Sequence, residues 1–83
     1  MGFVLKDLLI LEVRGKVVFI ELSPAGEETL RLVNLIVCDC LDVLEEMEIV
    51  KYYKNRRDYF VIMPQNDWQP VDLLIEIKKW LKI

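Results

Sequence analysis

The alternation of apolar and polar residues divides the chain into segments with distinct periods. Residues 16–22 are β-branched and aromatic, which favours a strand. Residues 30–47 repeat apolar positions at alternating steps of three and four, which predicts a helix with one apolar stripe. Residues 49–53 and 58–63 predict the arms of a hairpin, and residues 69–83 predict an amphipathic helix.

The first segment, residues 3–13, is consistent with two structures. As a helix it would place Leu5, Leu8 and Leu9 on one face. As a strand it would be apolar on both faces. The pattern alone leaves both alternatives open.

The middle helix is predicted to begin at Ser23 and Pro24. Serine is a favoured N-cap residue, and proline is favoured at the first helical position. Asn34 is the residue inside the apolar stripe that could cap a second helix. Residues 24–47 are therefore predicted to form either one helix or two.

Composition predicts a single packed domain over residues 1–83. The chain is 54% hydrophobic and 30% charged, and 83 residues are too few for two cores. The many Ile, Leu, Val, Glu and Lys residues, together with the absence of histidine, are typical of thermophile proteins. The apolar runs are too short to cross a bilayer and follow no signal-peptide pattern, so we expect a cytoplasmic protein without membrane contacts.

The residue types also argue against catalysis. The absence of histidine removes the commonest general base and a frequent metal ligand. The glycines lack the spacing of a phosphate-binding loop. Cys38 and Cys40 would point in different directions on a helix and could not bridge each other. We therefore predict that the protein is not an enzyme and binds no cofactor or metal.

Residues 37–62 resemble the recognition helix and wing of winged helix-turn-helix proteins, in particular arsenic-repressor-like regulators of a small archaeal type. The matching positions are Val37, Leu41, Leu44, Ile49, Val50, Arg56, Arg57, Tyr59 and Phe60. The resemblance implies an α+β, winged-helix-like fold in the order helix, strand, helix, helix, strand, strand, helix. In that fold Asn34 would cap the recognition helix.

A second architecture, ββαββα with one long central helix, is the alternative. Residues 11–24 resemble the first hairpin and helix entry of ubiquitin-like folds. Gly15 would occupy the left-handed position that closes a three-residue hairpin loop. This alternative implies a protein-interaction module without a role in nucleic-acid binding.

Charge is distributed unevenly, although the net charge is only −3. DNA affinity depends on neutralising phosphates, so the basic and aromatic residues around the second hairpin are the candidates for DNA contact: Lys51, Tyr53, Lys54, Arg56 and Arg57. The outward face of the middle helix is acidic and would be repelled by a major groove. Its carboxylates and a terminal tryptophan are instead candidates for contact with a protein partner: Asp39, Asp42, Glu45, Glu46 and Trp80.

The sequence is therefore compatible with three functions. The first is an accessory or regulatory protein that docks on a partner in transcription or DNA replication, with a basic wing that contacts DNA weakly. The second is a dimeric DNA-binding transcriptional regulator, with the dimer formed through the terminal helix. The third is a ubiquitin-like protein-interaction module.

Overall fold

The computed structural model describes residues 4–55 and 58–83. These residues form one antiparallel sheet with the strand order β1-β2-β4-β3, and two α-helices. After a short 3-10 helix, Leu5–Leu8, the elements are β1 (Leu9–Arg14), β2 (Val17–Leu22), α1 (Glu27–Glu46), β3 (Val50–Asn55), β4 (Tyr59–Pro64) and α2 (Pro70–Leu81). The fold is a small α+β domain with the element order ββαββα.

The winged-helix order predicted from the sequence is wrong. It contains more helices and fewer strands than the two α-helices and four strands of the described chain. The first difference is that residues 9–14 form a strand paired with β2 along its whole length. The second is that α1 continues through Asn34 as one helix of 20 residues. The observed order is that of the alternative architecture.

Asn34 does not cap a second helix, because its side chain has other partners. The Asn34 Oδ1 atom accepts hydrogen bonds from the Lys54 ammonium group at 2.8 Å and from the Cys38 thiol at 3.4 Å. Lys54 belongs to β3, so Asn34 links the side of α1 to the sheet. Apolar residues on both sides of Asn34 are buried, as Val33 and Val37 show, and this burial favours a continuous helix.

The start of α1 also differs from the prediction. The helix begins at Glu27 rather than at Pro24, and Gly26 occupies the N-cap position without a side-chain hydrogen bond. The backbone N–H of Ser23 donates to the carbonyl of Leu8 at 2.9 Å, which extends the contact between the ends of β1 and β2. Ser23 therefore does not cap this helix.

The hydrophobic core lies between the helices and one side of the sheet. α1 packs mainly over β3, whereas α2 packs over β1 and β2. The largest fully buried side chains are Phe60, Ile20, Leu41, Leu44, Ile62, Leu73 and Ile77. Complete burial of an aliphatic or aromatic side chain of this size contributes about 1.5–3 kcal/mol, so this layer is the main source of stability.

The turn between β1 and β2 uses the conformation expected for glycine. Gly15 has a φ of 60°, in the left-handed region that other residues rarely adopt. The strands on either side pair from Leu9 with Leu22 to Arg14 with Val17. The left-handed conformation of Gly15 is as predicted, but the loop has two residues, Gly15 and Lys16, rather than three.

Candidate interaction surface on the open sheet face

Both described helices pack on the same side of the sheet, and we call the opposite side the open sheet face. Successive residues of a strand point to opposite sides, so the residues between the buried ones belong to this face. Tyr53 and Ile10 are 62% and 48% exposed. The face is made of Ile10, Glu12, Arg14, Val17, Phe19, Glu21, Lys51, Tyr53, Asn55, Tyr59, Val61 and Met63.

The two central strands are apolar on both sides. An antiparallel sheet with one side in water normally places polar residues outward. Here β4 directs Tyr59, Val61 and Met63 outward, and β2 directs Val17 and Phe19 outward. None of these five belongs to the core or packs against it. This pattern is typical of a sheet that is covered on both sides.

The apolar residues of the open sheet face form one continuous patch. Phe19 lies opposite Val61 in the sheet register, and Val61 lies opposite Tyr53. The Phe19 and Tyr59 rings are stacked, with centroids 5.9 Å apart and planes inclined by 16°. Phe19, Tyr59 and Val61 are partly buried because they cover one another, whereas Tyr53 is exposed.

On the described strands, two carboxylates and two cations surround this patch, so their charges cancel. Arg14 forms an ion pair with Glu12, and its guanidinium group lies 4.5 Å from the centroid of the Phe19 ring. Glu21 adds a negative charge and Lys51 a positive one. An exposed ion pair of this kind contributes at most about 1 kcal/mol to stability. The charges therefore bear more on the choice of partner than on the fold.

The candidates for DNA contact do not share one surface in the described chain. Lys51 and Tyr53 belong to the open sheet face. Lys54 lies on the opposite side of the sheet, which we call the helix side, and donates a hydrogen bond to Asn34. Arg56 and Arg57 lie outside the described residues. Contact with DNA through this set stays a prediction.

The acidic candidates for partner contact lie on α1, as predicted, but one of them has an internal role. Asp39, Glu45 and Glu46 are exposed. Asp42 accepts a hydrogen bond from the hydroxyl group of Tyr52 on β3. Burial raises the pKa of Tyr52, and this hydrogen bond raises it further. Asp42 therefore joins α1 to the sheet.

Trp80 remains a candidate for partner contact. It lies in the last turn of α2 and is 45% exposed. Its position on the helix side separates it from the open sheet face.

Neither cysteine has the properties of an activated nucleophile. Both thiols are free. Burial and the charge of Glu76 raise the pKa of Cys40 to about 11. Burial also raises the pKa of Cys38, although the positive charge of Lys54 opposes this rise. A reactive cysteine needs a lowered pKa.

Comparison of the chain with protein-family models, with curated proteins and with solved structures gives no match. Among residues 4–55 and 58–83, no set of three or more acidic, cysteine or histidine side chains could hold a metal ion. Over the same residues, neither helix is long and apolar enough to span a membrane. Function therefore has to be argued from the surface chemistry of the described residues.

The open sheet face is not among the surfaces predicted from the sequence. The signal was present in residues 17–20 and 59–63, which are apolar at every position. Such a run predicts a strand that is buried on both sides. These runs therefore indicate not only strands but also a second face of the sheet that is suited to being covered.

Proposed function

We propose that this chain is a non-catalytic interaction module whose open sheet face binds another polypeptide. The observation that supports the proposal is the apolar character of β2 and β4 on both sides. Contiguous apolar patches on small domains usually mark interaction sites. Covering this patch is favourable because each Å² of apolar surface removed from water contributes about 25 cal/mol.

The charges on the open sheet face favour a polypeptide over a nucleic acid. Single-stranded nucleic acids bind to aromatic surfaces that also carry excess positive charge. Here Arg14 and Lys51 are balanced by Glu12 and Glu21, and the whole chain has a net charge of −3. A protein surface, with its mixture of apolar and oppositely charged groups, matches this composition better.

An accessory or regulatory role follows from this type of surface. A domain that acts by docking needs an exposed apolar patch and no catalytic groups. The setting that we propose, transcription or DNA replication, rests on the basic residues of the second hairpin, of which Lys51 lies on the open sheet face and Lys54 on the opposite side of the sheet. The two free cysteines favour the reducing environment of the cytoplasm.

Photo-crosslinking from a defined position tests the proposal. Replacement of Tyr53 by the photoreactive residue p-benzoylphenylalanine keeps an aromatic ring at the most exposed aromatic position of the open sheet face. Irradiation in a lysate of the source cells should attach a polypeptide to position 53. Mass spectrometry of the purified adduct would identify what has been attached.

The matched control carries the same photoreactive residue at Val71, which is 59% exposed on α2 and lies away from the open sheet face. We expect the adduct at position 53 and not at position 71. An adduct with nucleic acid at position 53 would contradict the proposal. Equal yields of the same adducts at both positions would also contradict it.

A further inference from the structure

We infer that the polypeptide bound by the open sheet face is a second copy of this chain. The inference rests on the proposed function and names the partner of the same surface. Three observations support it: the cancellation of charge on the open sheet face, its size, and the arrangement of its apolar and charged residues.

Charge restricts how two copies can approach. Each copy has a net charge of −3, so the copies repel each other at long range. The repulsion is strongest where two α1 helices would face each other, because α1 combines one basic residue, Arg31, with the carboxylates of Glu27, Glu28, Asp39, Asp42, Glu45 and Glu46. On the open sheet face the charges cancel. Two copies can meet there without an excess of like charge.

The same charges are suited to self-association. Glu12 and Arg14 alternate on the edge strand β1, and Lys51 lies on the opposite edge strand β3. In a symmetric dimer each copy offers both signs to the other, so carboxylates can lie beside cations across the contact. A surface adapted to a highly charged partner would instead carry an excess of positive or of negative side chains.

The open sheet face is large enough for a weak dimer. Each strand has six residues. Four strands of this length, about 4.8 Å apart, form a face of about 400 Å². Because side chains project from the sheet, two faces in contact bury about 1,000 Å² in total, near the lower limit for specific interfaces. An interface of this size is typical of weak, reversible association.

The arrangement of residues matches that of protein interfaces. Phe19, Val61 and Tyr59 form an apolar centre on the two middle strands. Arg14 and Lys51 lie on the edge strands, where they remain in contact with water. An apolar centre surrounded by a charged rim is the usual anatomy of an interface, and aromatic residues are enriched at such centres.

Sedimentation velocity over a range of concentrations tests the inference. The wild-type chain should change from monomer to dimer between about 1 and about 500 µM. Val61→Lys places a charge at the centre of the open sheet face. Tyr53→Lys places one at an exposed position of the edge strand β3, where we expect the substitution to leave the fold intact. Both variants should raise the dissociation constant at least about tenfold. The control Val71→Lys, on α2, should behave as the wild type does.

The outcomes separate this inference from the proposed function. A wild-type chain that remains monomeric at about 500 µM overturns the second copy as partner. Crosslinking of a different protein at position 53 would then still support the proposed function. A dimer that is unaffected by Tyr53→Lys but lost with Trp80→Ala would place the contact on the helix side and overturn the inference. Circular dichroism of each variant confirms that it is folded.

Discussion

At the scale of single residues, burial determines the chemistry of the two thiols. Cys40 is part of the buried core between α1 and the sheet. Its surroundings exclude water, and Glu76 on α2 adds a negative charge that disfavours a thiolate. Cys38, two residues away, keeps contact with Asn34 and is influenced by Lys54. The two cysteines should therefore respond differently to alkaline pH.

Cys40 should make the stability of the fold fall at alkaline pH. The pKa of its thiol rises from 9.0 to about 11 on folding, so the unfolded chain loses this proton at a lower pH than the folded chain. The contribution of the protonated Cys40 thiol to the free energy of unfolding is complete below pH 9.0 and is lost as the pH rises towards 11. The Cys40→Ala variant should therefore show a smaller decrease in the free energy of unfolding between about pH 8 and about pH 10.5.

Urea unfolding of both proteins at the two pH values gives this difference. Cys38→Ala is the matched control on the same helix, and its effect should be smaller because Lys54 opposes the rise in the pKa of Cys38. If Cys40→Ala and the wild type lost the same free energy over this range, the thiol would not be the source of the pH dependence.

At the scale of elements, local periodicity predicted most of the helices and strands. The strand at residues 16–22, the hairpin arms at 49–53 and 58–63, and the terminal helix at 69–83 correspond to β2, β3, β4 and α2. Their patterns are strong because each element buries one face in the core. Residues 3–13 remained undecided because both of their possible faces are apolar, and the structure divides them between a 3-10 helix and β1.

The candidate site could not be predicted in the same way, because it depends on pairing between distant strands. Phe19 and Val61 become neighbours only because β2 pairs with β4, across the whole of α1 and β3. No local period contains that information. The side-chain contacts of Asn34 with Lys54 are likewise tertiary, and they explain why a residue suited to capping lies inside a helix.

The continuity of α1 predicts a large effect of proline at position 34. Within a helix, proline removes one backbone hydrogen bond and clashes with the preceding turn, at a cost of about 3 kcal/mol or more. At an N-cap, proline would cost much less, because no helical hydrogen bond is lost. We therefore expect Asn34→Pro to lower the free energy of unfolding by at least about 3 kcal/mol in urea titrations.

Asn34→Ala is the control for this change, because it removes the side-chain contacts with Lys54 and Cys38 but preserves the helical backbone. Its cost should be about 1 kcal/mol or less, since each exposed hydrogen bond contributes little and alanine favours the helix. Similar stabilities of the proline and alanine variants would show that the helix is interrupted at position 34.

At the scale of the whole molecule, the fold has one layer of helices and one sheet. A chain of 83 residues can bury only part of its apolar surface, and here the core lies on one side of the sheet. The apolar residues left on the other side are a source of stability that a single copy cannot use. Association through the open sheet face would bury them, so folding and association should be coupled.

This coupling predicts that the melting temperature depends on protein concentration. A hundredfold rise in concentration adds at most about 1.4 kcal/mol of stability per chain, a limit reached when the dimer is the main folded form over the whole range. For a domain of this size, the melting temperature should therefore rise by several degrees and by no more than about 10 °C. Thermal unfolding followed by circular dichroism at about 5 and about 500 µM should show this rise for the wild type and for Val71→Lys. Tyr53→Lys should show a clearly smaller rise across the same range, because its charge weakens the contact between the open sheet faces. An equal rise for Tyr53→Lys and the wild type would show that the stabilising contact lies on another surface of the molecule.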